Sequence, residues 1–243
     1  MTQMGMEVPP LDAGDALFLD FDGTLAGLQD DPETVFLAPG MADVLETLAR
    51  RLNGALAILS GRDAGDLSTR VPGELWRIGN HGLIPLAPGA SAPDVRGAAP
   101  DAVRAAMEEV SSRFSGTRVE VKGPVLALHY RQVPEAAVSL GKALAEASLT
   151  SAGYRLQHGK FVFEAKPEDA NKGRALVRMM LEPPFAGRRP VMIGDDTTDE
   201  DAFREANRLG GLTVKVGAGD TVARHRLESV TAVHDYLKEL AGV

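Results

Sequence analysis

The sequence of 243 residues contains no cysteine, which excludes disulfide bonds, thiolate nucleophiles and zinc sites built on thiolates. It also lacks long apolar runs, since a stretch such as 55–59 is far too short to cross a bilayer. The N-terminal residues are acidic and proline-containing, without the basic start and apolar stretch of a signal peptide. We therefore expect a cytoplasmic protein that acts away from membranes.

Positive charge is scarce as well, because 26 Lys and Arg face 34 Asp and Glu, giving a net charge of −8. Nucleic acid is not an expected partner, since its binding depends on clustered Lys and Arg. A small anionic substrate would be repelled by the overall field, so a local cation has to attract it.

Hydrophobic residues make up 44% of the chain, enough for one large domain or a domain with an insertion. We expect a monomer.

Short, mainly apolar runs occur at four places along the chain, and the first three of them end in polar residues. Such runs, which do not alternate with polar residues, are typical of parallel strands covered on both faces. The four runs are 16–19, 55–59, 191–194 and 212–216. Segments with one apolar helical face lie between or beyond them, at 39–52, 171–181 and 198–209. This alternation predicts a Rossmann-like α/β core with a parallel sheet, in which ligands bind at the carboxyl ends of the strands.

The middle of the chain has a different pattern. Residues 85–100 are rich in Pro, Gly and Ala, which is typical of a loop. Beyond this loop, helices are predicted at 101–114 and 134–149, and strands with hairpin signals at 118–122, 125–131, 154–157 and 161–165. We therefore predict an α+β domain inserted at 84–167, and a core domain formed by 1–83 and 168–243.

The hexapeptide at 20–25, Asp-Phe-Asp-Gly-Thr-Leu, follows the first apolar run. Asp20 and Asp22 face the same way while the chain stays extended, and Gly23 allows an immediate turn. One carboxylate of such a pair can attack phosphorus, and the other can protonate the leaving oxygen and later deprotonate water. A calcium loop also begins with Asp-x-Asp, but its glycine belongs at the sixth position rather than the fourth.

A second acidic segment, at 195–201, follows the third apolar run. Thr198 can cap the following helix, and acidic residues in the first helical turn then complement its dipole. That explanation does not cover Asp195 and Asp196, which precede the cap. Carboxylates placed there, near Asp20 and Asp22, would repel one another unless a hard cation lies among them, and oxygen ligands favour Mg²⁺.

Two further residues are candidates for phosphate binding. Ser60 follows the second apolar run, although Ser-Gly is also a common turn. Lys172 comes directly after Asn171, a predicted helix N-cap, so its positive charge lies where the helix dipole disfavours it. A residue that breaks a local rule often has a functional role, although an exposed lysine would be tolerated there at small cost.

Four motifs in this order resemble those of the haloacid dehalogenase-like superfamily: DFDGTL, Ser60 within ILSGR, Lys172 within NKG, and GDDTTDED. The insertion between the second and third motifs resembles the larger type of cap domain in that superfamily. Further segments, such as GNHGL, VEVKGPVLALHYR and FEAKPEDANKG, are similar to the trehalose-6-phosphate phosphatase family over about 15–240. One departure follows the first motif, where Ala26-Gly27-Leu28 replaces a Ser-Pro-like stretch.

This resemblance implies a role for each matching position. Asp20 would be the nucleophile and Asp22 the general acid and base, with Ser60 and Lys172 binding phosphate. The implied Mg²⁺ ligands are Asp20, the backbone carbonyl of Asp22 and Asp195, with Asp196 and Asp199 nearby or acting through water. The implied sugar-binding positions are Glu120, Lys122, Glu164, Asn80, His81 and Arg62.

The expected activity is hydrolysis of trehalose 6-phosphate through an aspartyl-phosphate, with Mg²⁺ as cofactor. Alternatives are a related capped phosphatase acting on sucrose phosphate or a phosphorylated glyceryl sugar, and a catalytically silent regulatory module. From spacing alone, Glu120 and Lys122 would form an ordinary ion pair on the surface of the inserted domain. Buried carboxylates and amines are nevertheless suited to hold the hydroxyls of an uncharged sugar.

Overall fold

A computed structural model of the protein describes residues 8–92, 99–147, 149–159 and 161–243. The chain divides into two compact units, of which the first comprises Met1–Ala92 and Asn171–Val243 and the second comprises Pro93–Ala170. The predicted loop at 85–100 is covered only in part, because 93–98 lie outside the described residues. Within the described ranges, no helix is long and apolar enough to span a membrane.

The strands, in chain order, are β1 (Asp15–Leu19), β2 (Leu56–Leu59), β3 (Trp76–Gly79), β4 (Ile84–Leu86), β5 (Arg118–Lys122), β6 (Val125–His129), β7 (Tyr154–Gly159), β8 (Val162–Pro167), β9 (Arg189–Gly194), β10 (Leu212–Val216) and β11 (His225–Leu227). The helices are α1 (Met41–Arg51), α2 (Ala64–Arg70), α3 (Asp101–Ser112), α4 (Ala137–Glu146), α5 (Lys172–Met179), α6 (Asp199–Arg208) and α7 (Val230–Ala241). Short 3₁₀ turns at Pro32–Thr34, Asn80–Gly82, Pro134–Ala136 and Leu149–Ala152 complete the regular structure of the described residues.

The first unit is built on a sheet with the strand order β11-β10-β9-β1-β2-β3-β4. Its pairs are parallel except for β3 with β4. Every residue of β1, β2 and β10 is buried, because apolar faces of helices such as α1, α6 and α7 pack into the same core. The predicted α/β core with a parallel sheet is therefore confirmed.

The second unit contains an antiparallel sheet with the order β5-β6-β8-β7, together with α3 and α4. Alternation along its strands separates two faces. Leu126, Leu128 and Phe163 share one face and pack in a core with residues of both helices. The other face includes Glu120 and Glu164, and both lie opposite Ala127 in the register. This unit is the α+β insertion that the sequence predicts.

The boundary of the insertion differs from the predicted one. Residues 84–92 belong to the first unit, because β4 pairs antiparallel with β3 at the edge of its sheet. The sequence pattern suggested a loop there because Pro85 lies inside β4, and an edge strand tolerates a proline. At the other end, residues 168–170 belong to the second unit rather than to the core.

Candidate active site

Three neighbouring strands bring the candidate residues to one edge of the first unit's sheet. β1 lies between β2 and β9, and it pairs in parallel with both. Asp20 directly follows β1, Ser60 follows β2 and Asp195 follows β9. The predicted convergence at the carboxyl ends of the strands is thus present in the backbone.

Lys172 joins two of the carboxylates in the buried centre of this edge. Asn171 caps α5 by accepting a hydrogen bond from the backbone of Arg174, which places Lys172 in the first helical turn. The Nζ of Lys172 donates to Oδ1 of Asp20 and to Oδ1 of Asp199, at 2.7 Å each. The side chains of Lys172 and Asp199 are only 2% and 0% exposed. The charge that breaks the helix-dipole rule is therefore held by two buried carboxylates.

A compact group of carboxylates surrounds this lysine. Ligand-type oxygens of Asp20, Asp195 and Asp199 all lie within 4.8 Å of one another. We call these three residues with Lys172 the acidic cluster. Three carboxylates so close together are stable only when cations or protons offset their mutual repulsion.

Asp196 binds the start of α6 through one of its carboxylate oxygens. Its Oδ1 accepts hydrogen bonds from the backbone of Thr198 and Asp199 and from the hydroxyl of Thr198. Thr198 occupies the predicted N-cap position of α6, but its side chain makes no capping hydrogen bond. The carboxylate two residues earlier takes this role, since its oxygen is the stronger acceptor for backbone N–H groups at a helix N-terminus.

Two glycines make room for the acidic cluster. Gly23 turns the chain with φ of +82°, and a Cβ at this position would lie 2.2 Å from Oδ2 of Asp195. A Cβ at Gly194 would lie 2.3 Å from Cγ of Asp199. Any side chain at either position would displace a carboxylate of the cluster, so these glycines serve the site directly.

Burial and neighbouring charges shift the pKa values of the acidic cluster and of Asp196. Burial raises the pKa of Asp20 to about 7 against the opposing effect of Lys172, and Asp196 and Asp195 raise it further. Burial and the neighbouring Asp196 and Asp199 raise the pKa of Asp195 to about 6. Burial also opposes ionisation of Asp196, but Lys172 and the bonds from Thr198 outweigh it and lower that pKa to about 2. Burial works against the charge of Lys172, yet Asp199 and Asp20 raise its pKa well above the usual value.

These shifts predict how the stability of the metal-free protein depends on pH. A carboxyl whose pKa is raised on folding binds more protons in the folded state, so stability falls as pH rises from the unfolded value towards the folded one. For Asp20 and Asp195 this interval runs from about 4 to about 7. We expect the melting temperature in the presence of a chelator to be lower at pH 7.5 than at pH 5.5, by roughly 5 °C.

An Asp195→Asn variant provides the control for this pH dependence, because general self-repulsion of an acidic protein also grows with pH. The variant removes one of the two groups and keeps its shape, so the slope of melting temperature against pH should become flatter. An unchanged slope, or a wild-type protein whose stability rises over this interval, would contradict the assignment. The low pKa of Asp196 acts below pH 4 and does not interfere.

Ser60 lies in a loop that the Asn80–Gly82 turn supports. The backbone of His81 donates to the carbonyl of Ser60, and the backbone of Asn80 donates to the carbonyl of Arg62. Asn80 is completely buried, and its Oδ1 accepts from the backbone of Ala64 at the start of α2. The side-chain oxygen of Asn80 thus serves the protein's own helix, whereas the resemblance implied a ligand-lining role.

His81 is also buried, and its ring fills the space beside Gly61. A Cβ on Gly61 would lie 2.6 Å from Cε1 of His81, so the loop after β2 packs directly on this ring. Asn80 and His81 both have positive φ, of 53° and 56°, in the left-handed region that non-glycine residues seldom adopt. Such strain persists where surrounding contacts over-determine the backbone, often near a functional site.

Asp22, just after the nucleophile candidate Asp20, binds Arg62 through both of its carboxylate oxygens. The Nε and Nη2 of Arg62 donate to the two carboxylate oxygens of Asp22 at 2.8 and 2.7 Å. Arg62 also donates to Asp66, and these bonds overcome the effect of burial and raise its pKa. Arg62, which the resemblance assigned to the sugar site, is thus the partner of the predicted general acid.

In the second unit, Glu120 is the centre of a small polar group. His129 donates from Nε2 to Oε2 of Glu120 at 2.7 Å, and the Nζ of Lys122 lies 3.9 Å from the same oxygen. The bond from His129 lowers the pKa of Glu120 against partial burial, so the carboxylate stays ionised. Glu164 lies on the same face of this sheet, on β8. His129, given no such role by the sequence, orients Glu120.

The acidic cluster fits a divalent cation. Oδ1 of Asp195 is buried and has no hydrogen-bond partner among the described residues. The donors are carboxylate oxygens alone, the set that Mg²⁺ prefers, and one lysine does not balance three carboxylates. Asp22 and Asp196 lie outside this group of three, since Asp22 binds Arg62 and Oδ1 of Asp196 binds the start of α6, so their implied role at the metal stays a prediction.

Sequence reasoning missed Lys215, which lies near the same edge. Its Nζ contacts the backbone carbonyl of Asp195, and the residue is buried on β10, the strand beside β9. Lys215 was a visible signal, because it is the one charged residue within the predicted strand 212–216, and a charge is seldom buried in a central strand without a partner.

The parallel sheet, the inserted α+β unit and the buried acidic cluster together define a protein of the haloacid dehalogenase-like type. A family model described as trehalose-phosphatase matches residues 18–233. The chain belongs to this trehalose-phosphatase family.

Relatives and solved structures agree with this membership. A trehalose-6-phosphate phosphatase of Escherichia coli (strain K12) is 37% identical over 248 residues, covering 98% of this chain and 91% of the relative. A probable trehalose-phosphate phosphatase of Sinorhizobium fredii is 39% identical over 207 residues, covering 83% of this chain and 77% of the relative. The C-terminal domain of the Candida albicans trehalose-6-phosphate phosphatase has the same fold, with a TM-score of 0.80 at 23% identity, covering 98% of this chain and 99% of that domain.

Proposed function

We propose that this protein hydrolyses trehalose 6-phosphate to trehalose and phosphate through a phosphoenzyme intermediate on Asp20. The observation that carries the proposal is the acidic cluster, in which a buried lysine bonds directly to Asp20, and Oδ1 of Asp195 finds no hydrogen-bond partner in the part of the chain that the structure describes. The named activity of the Escherichia coli relative supports the choice of substrate. The predicted cytoplasmic location and monomeric state stay predictions.

In the first half-reaction, a carboxylate oxygen of Asp20 attacks phosphorus and the bond from phosphorus to the sugar oxygen breaks. The leaving oxygen requires a proton to depart as a neutral alcohol, and Asp22 supplies it. Lys172 holds Asp20 through its Nζ and offers positive charge to the transferring group. Ser60, after the neighbouring strand, is the candidate donor to a phosphate oxygen.

In the second half-reaction, water replaces the sugar oxygen. Asp22, now ionised, accepts a proton from the water whose oxygen attacks phosphorus. The bond between phosphorus and Asp20 breaks, inorganic phosphate leaves, and the Asp20 carboxylate and the protonated Asp22 are regenerated. The same aspartate acts first as acid and then as base, so one group serves both proton transfers.

A divalent cation would be held by side chains of Asp20, Asp195 and Asp199, with the backbone carbonyl of Asp22 as the implied fourth donor. When bound, Mg²⁺ supplies positive charge that neutralises phosphate oxygens. Asp195 contributes the partnerless oxygen, and Asp199 is itself fixed by Lys172 and by the backbone of Asp195.

Recognition of the sugar is assigned to the polar group of the second unit. Glu120, Lys122 and Glu164 supply two carboxylates and an ammonium on one sheet face, suited to hydroxyl groups. His129 keeps Glu120 ionised and oriented. A site built to bind hydroxyls discriminates strongly against substrates that lack them.

The test of this function is phosphate release from a panel of sugar phosphates by the purified protein. The panel contains trehalose 6-phosphate, sucrose phosphate, a phosphorylated glyceryl sugar and glucose 6-phosphate, each with Mg²⁺ and with a chelator. We expect kcat/KM for trehalose 6-phosphate to exceed the others by about 100-fold, and the chelator to stop release. If kcat/KM were higher for another sugar phosphate, that compound would be the substrate instead. If no sugar phosphate released phosphate, the catalytically silent module would be favoured.

Glu120→Gln should separate sugar recognition from phosphate chemistry. We expect kcat/KM for trehalose 6-phosphate to fall by about 10–100-fold, because an amide cannot replace an ionised acceptor, while a small aryl phosphate is hydrolysed as before. Glu109→Gln is the matched control, since Glu109 is exposed on α3. Equal losses on both substrates would show that Glu120 supports the fold rather than the sugar.

A further inference from the structure

An ion-pair series runs along one face of α2 and ends on the predicted general acid. Arg62 precedes the helix, Asp66 lies four residues later and Arg70 four residues after that, so the three side chains are neighbours on one face. We call Arg62, Asp66 and Arg70 the α2 ladder. Asp66 accepts from Nη1 of Arg62 at 2.8 Å and from Nη2 of Arg70 at 2.6 Å.

At one end of the ladder, Arg62 fixes Asp22 by two parallel hydrogen bonds. The planar guanidinium fork matches a carboxylate in a single orientation, which a lysine cannot do. Arg62 also donates to the carbonyl of Pro32 at 3.0 Å and lies over the ring of Phe21, with 5.4 Å to the centroid. The direction of the Asp22 side chain is therefore set by Arg62, which is itself held on several sides.

At the other end, Arg70 anchors the ladder in the protein. Its side chain is only 2% exposed, and Nη1 donates to the carbonyl of Val35 at 2.7 Å. Its Nη2 lies 3.3 Å from Oε2 of Glu33, and its guanidinium packs over the ring of Phe36. Arg70 thereby connects Asp66 to the segment that follows the first motif.

Burial distinguishes the ladder from an ordinary surface ion pair. Glu46 and Arg50 on α1 are also separated by four residues in the sequence. The distance from Nη1 of Arg50 to Oε2 of Glu46 is 3.9 Å, however, and the side chain of Arg50 is 69% exposed. Such exposed pairs contribute little and hold no fixed geometry. A nearly buried guanidinium bonded on both sides instead holds its partners in one arrangement.

We propose that the α2 ladder is a positioning device for Asp22, in which Asp66 and Arg70 hold Arg62 and Arg62 sets the direction of the Asp22 carboxylate. This inference rests on the proposed function, because it takes Asp22 as the group that protonates the leaving oxygen. Asp66 and Arg70 are then positioning residues that act on the reaction without touching the substrate.

The experiment compares Asp66→Asn with wild type on a series of small aryl phosphates whose leaving groups differ in basicity. The parameter is kcat/KM, which covers the steps up to loss of the leaving group and so excludes the later attack of water. An ester with a poor leaving group needs the proton from Asp22, so we expect its kcat/KM to fall about tenfold. An ester with a very good leaving group needs no proton and should change less than about twofold.

Two further variants separate positioning from general damage to the fold. In an Asp22→Asn background, Asp66→Asn should cause no additional loss, because coupled residues are not additive. Arg70→Lys keeps the buried charge but loses the fork, and it should show the same dependence on leaving group; it also replaces Asp66→Asn if that variant fails to fold. Arg50→Gln is the control and should match wild type throughout.

The inference is overturned by any of three results: no loss in either ladder variant, an equal loss across the whole series, or an additive loss in the Asp22→Asn background. Melting curves accompany each variant, so that a folded protein is compared in every case. This experiment does not depend on the identity of the natural substrate, because trehalose 6-phosphate is not among the aryl phosphates that it uses. A wild-type protein that hydrolyses the aryl phosphates but not this sugar phosphate would refute the substrate and still test the ladder.

Discussion

Asp20→Asn is expected to reduce phosphate release by at least about 10⁴-fold, because an amide cannot form the phosphoenzyme. The protein should nevertheless fold. Asp20 is one of three carboxylates whose oxygens lie within 4.8 Å, so its removal relieves repulsion, and Lys172 keeps its 2.7 Å bond to Asp199. We expect the metal-free variant to melt within a few degrees of wild type, as measured by calorimetry alongside phosphate release.

Two controls make this result specific. Asp43→Asn changes an exposed aspartate in the first turn of α1 and should leave turnover unaltered. Asp22→Asn should slow turnover by about 10²–10⁴-fold, the usual contribution of a general acid or base, because the attack of water also needs Asp22. For esters with good leaving groups, kcat/KM should be retained, since it covers only the steps up to loss of the leaving group. Near-normal turnover by Asp20→Asn would rule out the covalent route and point to direct attack by water.

The residues of the site that the sequence predicted are mainly those that directly follow a buried strand. The four core runs were recognisable because a strand buried on both faces is continuously apolar, and Asp20, Ser60 and Asp195 each follow one of them. Their convergence follows from the parallel sheet. Lys172 was visible for another reason, because a cation in the first turn of a helix conflicts with the dipole, and its bonds to Asp20 and Asp199 explain the exception.

What the sequence could not provide is the choice among competing polar partners. Thr198 and Asp196 are both able to cap α6, and only the coordinates show that Asp196 does so. Arg62 has carboxylates before and after it in the chain, and the pairing with Asp22 depends on a contact across forty positions. β3, with an arginine inside four residues, and the three-residue β11 are too short and mixed for a periodic pattern.

Lys172→Met tests the charge balance of the acidic cluster most severely. Methionine has nearly the same shape, but the buried carboxylates of Asp20 and Asp199 lose the ammonium that each contacts at 2.7 Å. Breaking a buried ion pair by removing one partner costs about 3–5 kcal/mol, so we expect a large drop in the melting temperature of the chelated protein. Turnover should fall by at least about 10³-fold, because Asp20 loses its positioning contact and the phosphoryl group loses a cation.

The two consequences of Lys172→Met should respond differently to Mg²⁺. A divalent ion that binds Asp20, Asp195 and Asp199 offsets their repulsion, so adding Mg²⁺ should restore much of the melting temperature, since binding to the folded state alone stabilises it. Turnover should not return, because the ion does not replace a lysine bonded to Asp20. Lys238→Met, at an exposed position in the last turn of α7, is the matched control. If Lys172→Met kept both its stability and its activity, the carboxylates would have to be protonated or separated in solution, and the acidic cluster would not be the centre of the reaction.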